Sequence, residues 1–269
     1  MSQSAKAELF HKLHQGPQVL ILPNAWDAAS AAVMADTGAK AVATSSAAVA
    51  WAYGYADGDI LPIDLVVATI AAAAKAAGDT PVTADIEGGF TDDLDALSHN
   101  IARVIEAGAV GINIEDGGRD PALHARKVAA VRAQAEKQGV RLFINARTDV
   151  YLRSLAEGEA AYDETVRRAA LYAEAGADGI FVPGPADAEL IGRLAAAIAR
   201  PLNVMGRDGV PNAPELAALG ARRLSSAIHP FRVAYAAMGR AVEAYLRDGD
   251  PGALARAGDG APNLQQRFG

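Results

Sequence analysis

The 269-residue sequence contains no cysteine and no Lys/Arg-rich run, and the chain carries a net charge of −7. The absence of cysteine excludes thiol nucleophiles, thiol acids and thiolate metal ligands from any site that the chain forms. The negative charge and the lack of a basic run make nucleic acid and anionic membranes poor partners, and we expect neither to bind. The chemistry of the chain must therefore rest on oxygen and nitrogen groups.

We expect no segment that would direct the chain to a membrane or out of the cell. The first residues lead into Glu8 without an apolar stretch, so they do not resemble a signal peptide. The Ala-rich stretch 66–77 is too short to span a bilayer and contains Lys75. We expect a cytoplasmic protein. The hydrophobic fraction of 51%, with only 21% charged residues, predicts a folded chain with a sizeable core.

One local pattern recurs along the chain: an Ala-rich helix, a Gly-Ala pair and then a short run rich in β-branched residues. The pair stands at 38–39, 108–109, 176–177 and 220–221. A glycine that ends a helix in the left-handed conformation and leads directly into a buried strand explains this pattern. With similar runs elsewhere, the sequence predicts eight strands, at 18–22, 41–44, 81–85, 110–114, 141–146, 179–182, 201–205 and 222–225.

The order of these elements predicts the fold class. Short apolar strands that alternate with helices are typical of α/β proteins with a parallel sheet, and eight such units favour closure into a (β/α)₈ TIM barrel. No Gly-x-Gly-x-x-Gly motif follows the first strand, which argues against a dinucleotide-binding fold. Helices around 5–14 and 231–246 are expected to flank the barrel. Residues 1–269 contain no linker and are predicted to form one domain, with an irregular Gly/Pro-rich tail over 248–269.

Three neighbouring strands end in pairs of polar residues that share one strand face. The active site of such a barrel lies at the carboxyl ends of its strands, and side chains alternate between faces along each strand. The pairs are Asp85 and Glu87, Asn113 and Glu115, and Asn145 and Arg147. If these faces point inward, three carboxylates and one guanidinium meet at one mouth of the barrel.

The three carboxylates predict a metal site. Clustered carboxylates repel one another unless protons or a cation offset their charge. Ligands that are all oxygen favour a hard ion, so Asp85, Glu87 and Glu115 predict a site for Mg²⁺ or Mn²⁺. Zinc is not expected, because the histidines lack ligand spacing. A Schiff-base aldolase is not expected either, because no lysine lies at the carboxyl end of a strand. The alternative for any one of these acids is that it caps a helix or pairs with an arginine.

Other polar side chains allow two interpretations. His229 follows the last strand, where its imidazole would position a substrate carboxylate or transfer a proton, or else would cap the final helix. Arg207, in a Gly-flanked loop after the seventh strand, is a candidate for a phosphate cradle, which would make the chain a sugar-phosphate barrel. His124, Arg126 and Lys127 fall on the predicted fourth helix and are expected to form a solvated face.

Four strand-end segments together resemble the phosphoenolpyruvate mutase/isocitrate lyase superfamily. They read Pro-Asn-Ala-Trp-Asp at 23–27, Ala-Asp-Ile-Glu-Gly-Gly at 84–89, Asn-Ile-Glu-Asp-Gly at 113–117 and Asn-Ala-Arg-Thr-Asp at 145–149. The resemblance runs in order through most of the chain. It implies a barrel that forms homodimers or homotetramers, commonly by exchanging the last helix, and Mg²⁺-dependent making or breaking of a C–C or C–P bond beside a 2-oxo acid.

The resemblance also assigns roles to single residues. Asp85 would be the principal metal ligand, while Glu87 and Glu115 would hold metal-bound water with support from Asp57. Arg147 would bind the anionic end of the substrate, and a serine pair would bind its carboxylate. The expected sets are Asp85, Glu87 and Glu115 for the metal, Ser45, Ser46, Asn113 and Arg147 for the substrate, and Asp57, Glu115, Arg147 and His229 for catalysis.

Two departures from the superfamily pattern narrow the expected reaction. The segment 115–121 reads Glu-Asp-Gly-Gly-Arg-Asp-Pro, without the Lys/Cys/Gly/His loop of isocitrate and methylisocitrate lyases or the gating loop of the mutase. The second acid of the third strand is Glu87, where the superfamily has Asp. The resemblance therefore implies a Mg²⁺-dependent lyase or hydrolase that cleaves a C–C (or C–P) bond of a small 2-oxo or 2-hydroxy carboxylate. Such an enzyme would resemble an oxaloacetate decarboxylase or a substituted-malate lyase and would act through a metal-stabilised pyruvate enolate.

Two other functions stay open on the sequence. The short segment after Glu115 is also compatible with a non-catalytic or regulatory barrel that binds a small carboxylate. A phosphonopyruvate hydrolase or mutase-type activity would use the same metal acids. In each case the expected partner is a small carboxylate.

Overall fold

Nine strands, all parallel, form one sheet in the computed structural model, which describes all residues 1–269. They are β1 (Leu20–Leu22), β2 (Asn24–Ala25), β3 (Val42–Thr44), β4 (Val82–Asp85), β5 (Gly111–Glu115), β6 (Phe143–Arg147), β7 (Gly179–Val182), β8 (Leu202–Met205) and β9 (Arg223–Ser225). All eight predicted strands are present, and their ends differ from the prediction by two residues at most.

The sheet closes into a barrel through its first strand, which Pro23 divides in two. β1 pairs with β9, with Leu20 opposite Arg223, whereas β2 pairs with β3. Pro23 has no N–H to donate, so it interrupts the strand, but its carbonyl accepts from the N–H of Ala43 at 2.9 Å. Residues 20–25 thus contact both neighbouring strands, and the eight strand positions confirm the predicted (β/α)₈ barrel.

Helices follow the strands in alternation and cover the outside of the barrel. They are α1 (Gln3–Leu13), α2 (Ala28–Asp36), α3 (Ser46–Ala52), α4 (Ile63–Ala76), α5 (Leu94–Glu106), α6 (Pro121–Lys137), α7 (Gly158–Glu174), α8 (Ala188–Ala197), α9 (Ala213–Ala218), α10 (His229–Asp248), α11 (Pro251–Ala257) and α12 (Leu264–Phe268). The recurring glycines at 38, 108, 176 and 220 all have positive φ, between 97° and 110°, as predicted for helix ends. None of the helices is long and apolar enough to cross a membrane.

Helix α1 closes the barrel at the amino ends of the strands. Phe10 is fully buried beneath Gly111, the first residue of β5, and packs edge-on against Phe143, the first residue of β6, at 5.5 Å between ring centroids. His14 stacks on Phe143 at 3.9 Å, and burial lowers the pKa of His14 to about 3. A neutral aromatic cluster therefore fills this end, which leaves the opposite end for the site.

The C-terminal part of the chain differs from the sequence prediction. The tail expected to be irregular contains α11 and α12, because Asp250 and Asn263 cap their first turns and Pro251 occupies the first helical position of α11. Arg267 of α12 pairs with Asp36 of α2 at 2.9 Å, so the end of the chain returns to the barrel. Helix α10 itself agrees with the prediction, although it begins two residues earlier.

Candidate active site

A cavity of about 420 Å³ opens at the carboxyl ends of the strands. It is lined by seven of the nine residues that the sequence predicted for the site: Ser45, Ser46, Asp57, Asp85, Asn113, Arg147 and His229. The other two, Glu87 and Glu115, do not line it. Sequence reasoning missed several lining residues, among them Asn24, Phe181 and Ser225, which stand on or at the ends of other strands.

Asp85 lines the cavity and has no ion-pair partner. It is the last residue of β4, where its N–H donates to Thr44 Oγ1 at 2.8 Å. Its Oδ1 accepts from the backbone N–H of Glu87 at 3.5 Å. Burial raises the pKa of Asp85, and nearby Asp57 adds to this effect while Arg147 opposes it. Asp85 thus presents acceptor oxygens to the cavity, and no lysine or arginine side chain pairs with them.

Glu87 lies just past the end of β4 in a left-handed conformation, with φ of 50°. Its Oε2 accepts from the N–H groups of Gly58, at 2.7 Å, and Asp59. In return, Asp59 Oδ1 accepts from the N–H groups of Gly88, at 2.9 Å, and Phe90, at 3.1 Å. Burial raises the pKa of Glu87 to about 7, against the opposing bond from Asp59. The segment between α3 and α4 and the loop after β4 are therefore joined by reciprocal hydrogen bonds, in which each carboxylate accepts from backbone N–H groups of the other segment.

Glu115 and Arg147 form an ion pair between neighbouring strands. Their Cα atoms are register partners of β5 and β6, and Arg147 Nη1 lies 2.6 Å from Glu115 Oε2. Arg147 also donates through Nε to Asp149 Oδ1 at 2.6 Å and through Nη2 to Asp149 Oδ2 at 3.1 Å. Burial raises the pKa of Glu115 to about 8, although Arg147 opposes the shift. The Arg147 guanidinium thus pairs with both Glu115 and Asp149. Its single positive charge does not neutralise all of the surrounding carboxylates.

A buried network behind the cavity fixes Asp149. The N–H of Asp149 donates to Asp116 Oδ1 at 3.0 Å, and Asp116 Oδ2 accepts from Arg168 Nη1 at 2.8 Å and from the Tyr172 hydroxyl at 2.7 Å. Burial alone would raise the pKa of Asp116, but these hydrogen bonds lower it overall. The network lies outside the predicted site set. Both aspartates nevertheless lie in the sequence motifs at 113–117 and 145–149, which could have indicated the network.

The prediction of a solvated face on α6 is wrong for two of its three residues. His124 and Lys127 are 1% and 0% exposed. The Lys127 ammonium donates to the carbonyl of Gly88 at 2.8 Å and to Asp92 at 2.5 Å, because the loop after β4 folds over this helix. Burial lowers the pKa of His124 to about 4. These contacts pin the loop that carries Glu87.

The serines and His229 stand at helix starts around the cavity. Ser45 caps α3 through its hydroxyl, and Ser46, the first residue of α3, lines the cavity. His229 is the first residue of α10, and Ile228 occupies the N-cap position, so the capping interpretation of His229 is wrong. Arg207 is exposed at the rim and forms no ion pair. Two nitrogen-bearing side chains therefore remain available on the β8–β9 side.

The three predicted metal acids do not form one set of direct ligands. No group of three His, Asp or Glu side chains in the chain is placed to hold an ion. The reasons are local: Glu87 is held by backbone N–H groups and Glu115 by Arg147. Asp85 and Glu87 both border a small void of about 10 Å³, which has room for about one water molecule. Asp85 lines the main cavity, whereas Glu87 and Glu115 do not.

Comparison with known proteins finds a matching family model, similar sequences and similar solved structures. A family model described as phosphoenolpyruvate phosphomutase matches residues 10–246. An uncharacterized protein of Mycobacterium tuberculosis H37Rv is 35% identical and covers 90% of each chain. An oxaloacetate decarboxylase of Pseudomonas fluorescens SBW25 is 28% identical over 82% of this chain and 78% of that protein. A crystal structure from Burkholderia cenocepacia J2315, provisionally named a phosphonomutase, has a TM-score of 0.85 and 41% identity over 88% of this chain and 99% of that one.

Proposed function

Because the chain belongs to the phosphoenolpyruvate mutase/isocitrate lyase superfamily, we propose that it is a Mg²⁺-dependent lyase or hydrolase. It cleaves a C–C bond, or less favourably a C–P bond, at C3 of a small 2-oxo or 2-hydroxy carboxylate. One observation carries the proposal: Asp85 and Arg147, an acceptor for a hard cation and a donor for a carboxylate, face the same cavity.

The side chains around Asp85 fit Mg²⁺, or Mn²⁺ in its place. The donors are all oxygen, and each of the buried acids Asp85, Glu87 and Glu115 has its pKa raised by burial and by the neighbouring carboxylates. Asp85 would bind the ion directly, whereas Glu87 and Glu115 would hold it through water. The chemistry that Mg²⁺ supplies when bound is Lewis-acid stabilisation of the negative charge that develops on a 2-oxo acid.

The residues of the chain bind and orient the substrate. Three of the five N–H groups of Arg147 are used by Glu115 and Asp149, so two remain for a carboxylate. Arg207, which has no ion-pair partner, is the candidate for a second carboxylate at the rim and favours dicarboxylates as substrates. When the bond at C3 breaks, C3 must take up a proton, and His229 lines the cavity with its ring unengaged.

The test is pyruvate release from oxaloacetate, a series of substituted malates and phosphonopyruvate. Each is measured with Mg²⁺, with a chelator and with the Asp85→Ala variant, which controls for the metal-driven decay of oxaloacetate. We expect turnover that requires both the metal and Asp85. Mg²⁺ binding without turnover of any substrate would contradict the proposal and favour a non-catalytic carboxylate-binding barrel. Turnover of phosphonopyruvate alone would favour the hydrolase or mutase alternative.

We further propose that the protein works as a homodimer or homotetramer in which α10 is exchanged. A groove of about 650 Å³ runs along the outside of β1, where Ile21 is 62% exposed on a strand that a barrel normally covers with a helix. Helix α10 leaves this groove uncovered, and its apolar side chains are exposed: Val233, Tyr235, Met238, Val242, Tyr245 and Leu246. Light scattering of the wild type and of Met238→Glu/Val242→Glu tests this, with Glu243→Gln as control. A monomeric wild type would contradict it.

A further inference from the structure

A buried arginine stands in the interior of the barrel, below the cavity. Arg223, the first residue of β9, is 1% exposed, and its guanidinium lies above the Phe10 ring at 6.0 Å from the centroid. Its Nη2 donates to Asn113 Oδ1 at 3.0 Å. It has no carboxylate partner. The interior of such barrels is usually filled with branched apolar side chains, so a lone guanidinium there calls for an explanation.

Arg223 determines which way the Asn113 amide points. Burial lowers the pKa of Arg223 to about 9, so the guanidinium stays protonated at neutral pH and can only donate. Asn113 must therefore turn its oxygen toward Arg223. The same oxygen accepts a second bond from Asn145 Nδ2 at 2.9 Å, which reinforces this orientation.

The other end of the amide is then free for a ligand. Asn113 lines the cavity next to Asp85, and its Nδ2 donates to no protein group and is not among the fully buried polar atoms. With the oxygen held from below by two donors, Nδ2 is the group that faces the cavity. An amide that rotated freely would present oxygen half of the time and would repel a carboxylate.

The arrangement has an energetic cost that packing alone does not repay. Arg223 Nε and Nη1 are buried without hydrogen-bond partners. Unpaired donors on a buried charge destabilise a protein, and apolar side chains of similar volume would fill the same space without that loss. The neighbouring Arg222 shows the contrast, because it lies partly exposed and donates to the carbonyls of Ala217 and Ala221.

We propose that Arg223 is a positioning residue of the substrate site. It holds the Asn113 amide so that Nδ2 donates to an oxygen of the bound carboxylate, and it acts on the ligand only through Asn113. The inference rests on the proposed function in one respect, which is that the cavity takes a 2-oxo or 2-hydroxy carboxylate.

A double-mutant cycle tests this assignment, with oxalate as the probe. Oxalate has the paired oxygens of a 2-oxo acid, and its Kd is measured by calorimetry with Mg²⁺ for the wild type, Arg223→Met, Asn113→Ala and the double variant. We expect Arg223→Met to weaken binding about tenfold, the value of one oriented hydrogen bond, and to have no further effect when Asn113 is already alanine. Arg222→Met is the matched control and should bind like the wild type.

The Asn113→Asp variant covers the case in which Arg223→Met does not fold. Aspartate keeps an acceptor for Arg223 and replaces only Nδ2, so the melting temperature should not fall, while oxalate affinity should drop by at least about tenfold. Two results would overturn the role of Arg223 while leaving the proposed function intact. One is wild-type oxalate affinity in Asn113→Asp, and the other is an equal loss of oxalate affinity on Arg223→Met with Asn113 present and with alanine in its place. A wild type that binds no oxalate would overturn the proposed function and this inference together.

Discussion

The two ends of the barrel differ in how they treat charge and backbone conformation. At the amino end, α1 packs a neutral aromatic cluster into the opening, and every residue of positive φ between a helix and the next strand is glycine. At the carboxyl end, five residues other than glycine adopt positive φ: Asp59, Glu87, Phe90, Ser154 and Ala227. Each such residue costs on the order of 1–3 kcal/mol. Strained backbone and clustered carboxylates are therefore concentrated where the ligand would bind.

This comparison predicts that activity and stability respond to different ends. Asp85→Asn removes a buried carboxylate whose pKa is raised by burial, so we expect the melting temperature to hold or rise. Turnover should fall by on the order of 10³-fold, since the principal acceptor for the cation is lost. Initial rates and thermal scans on the same samples check both parts. Full activity in this variant would contradict the placement of the site.

The opposite change is expected at the amino end. Phe10→Ala should lower the free energy of unfolding by about 3–5 kcal/mol, because a fully buried aromatic ring is replaced by a cavity. The ratio kcat/KM should fall by less than about tenfold at temperatures where the variant is folded, because the ring does not line the cavity and reaches the ligand site only through Arg223. Urea denaturation gives the first quantity. A large loss of kcat/KM in the folded variant would show that the two ends are coupled.

The buried network behind the cavity joins both properties. Asp116→Asn should cost about 3 kcal/mol, since Arg168 would lose its buried carboxylate partner. Tyr172→Phe, which removes a single donor to Asp116, is the milder control at about 1 kcal/mol. Because the folded pKa of Asp116 is lowered, its contribution is present above the unfolded pKa of about 4 and is lost as pH falls through the folded value. The difference in melting temperature between wild type and Asp116→Asn should therefore shrink in acid.

The effect of Mg²⁺ on stability should depend on pH. Burial raises the folded pKa of Glu87 to about 7 and that of Glu115 to about 8, so the stability that these acids contribute as neutral groups is lost as pH rises through these values. A cation restores it, and binding requires the deprotonated acids. We expect Mg²⁺ to raise the melting temperature more at pH 8 than at pH 5.5. An equal shift at both values would place the ion elsewhere.

A matched pair of exposed residues gives the smallest expected effect. Ser154→Gly at φ of 50° should raise the free energy of unfolding by about 0.5–1 kcal/mol, since glycine adopts this conformation without strain. Gly38→Ser at φ of 98°, where an added Cβ meets no atom, should lower it by a similar amount of about 0.5–1 kcal/mol. Denaturant curves measure both. If both variants changed the free energy of unfolding in the same direction, the backbone at Ser154 would not be strained.

The sequence was sufficient for the strands, because Gly-Ala helix ends and apolar runs are local signals, and seven of its nine predicted site residues line the cavity. It failed where the chain leaves regular geometry. Alternation placed Asp85 and Glu87 on one face, but β4 ends at Asp85 and the positive φ of Glu87 turns its side chain to the loop after β3. The burial of Lys127 depends on a loop folding back across α6, which no period of the helix reveals. Contacts distant in sequence account for these errors.

The pairing of β1 with β9 has a consequence for synthesis. β1 and β9 are about 200 residues apart in the chain. The barrel can therefore close only after nearly all of the polypeptide has left the ribosome. Until then the nascent sheet has open edges at β1 and β8, whose unpaired N–H and C=O groups would accept any extended segment. A chain stalled before β9 would therefore keep both edges open to aggregation.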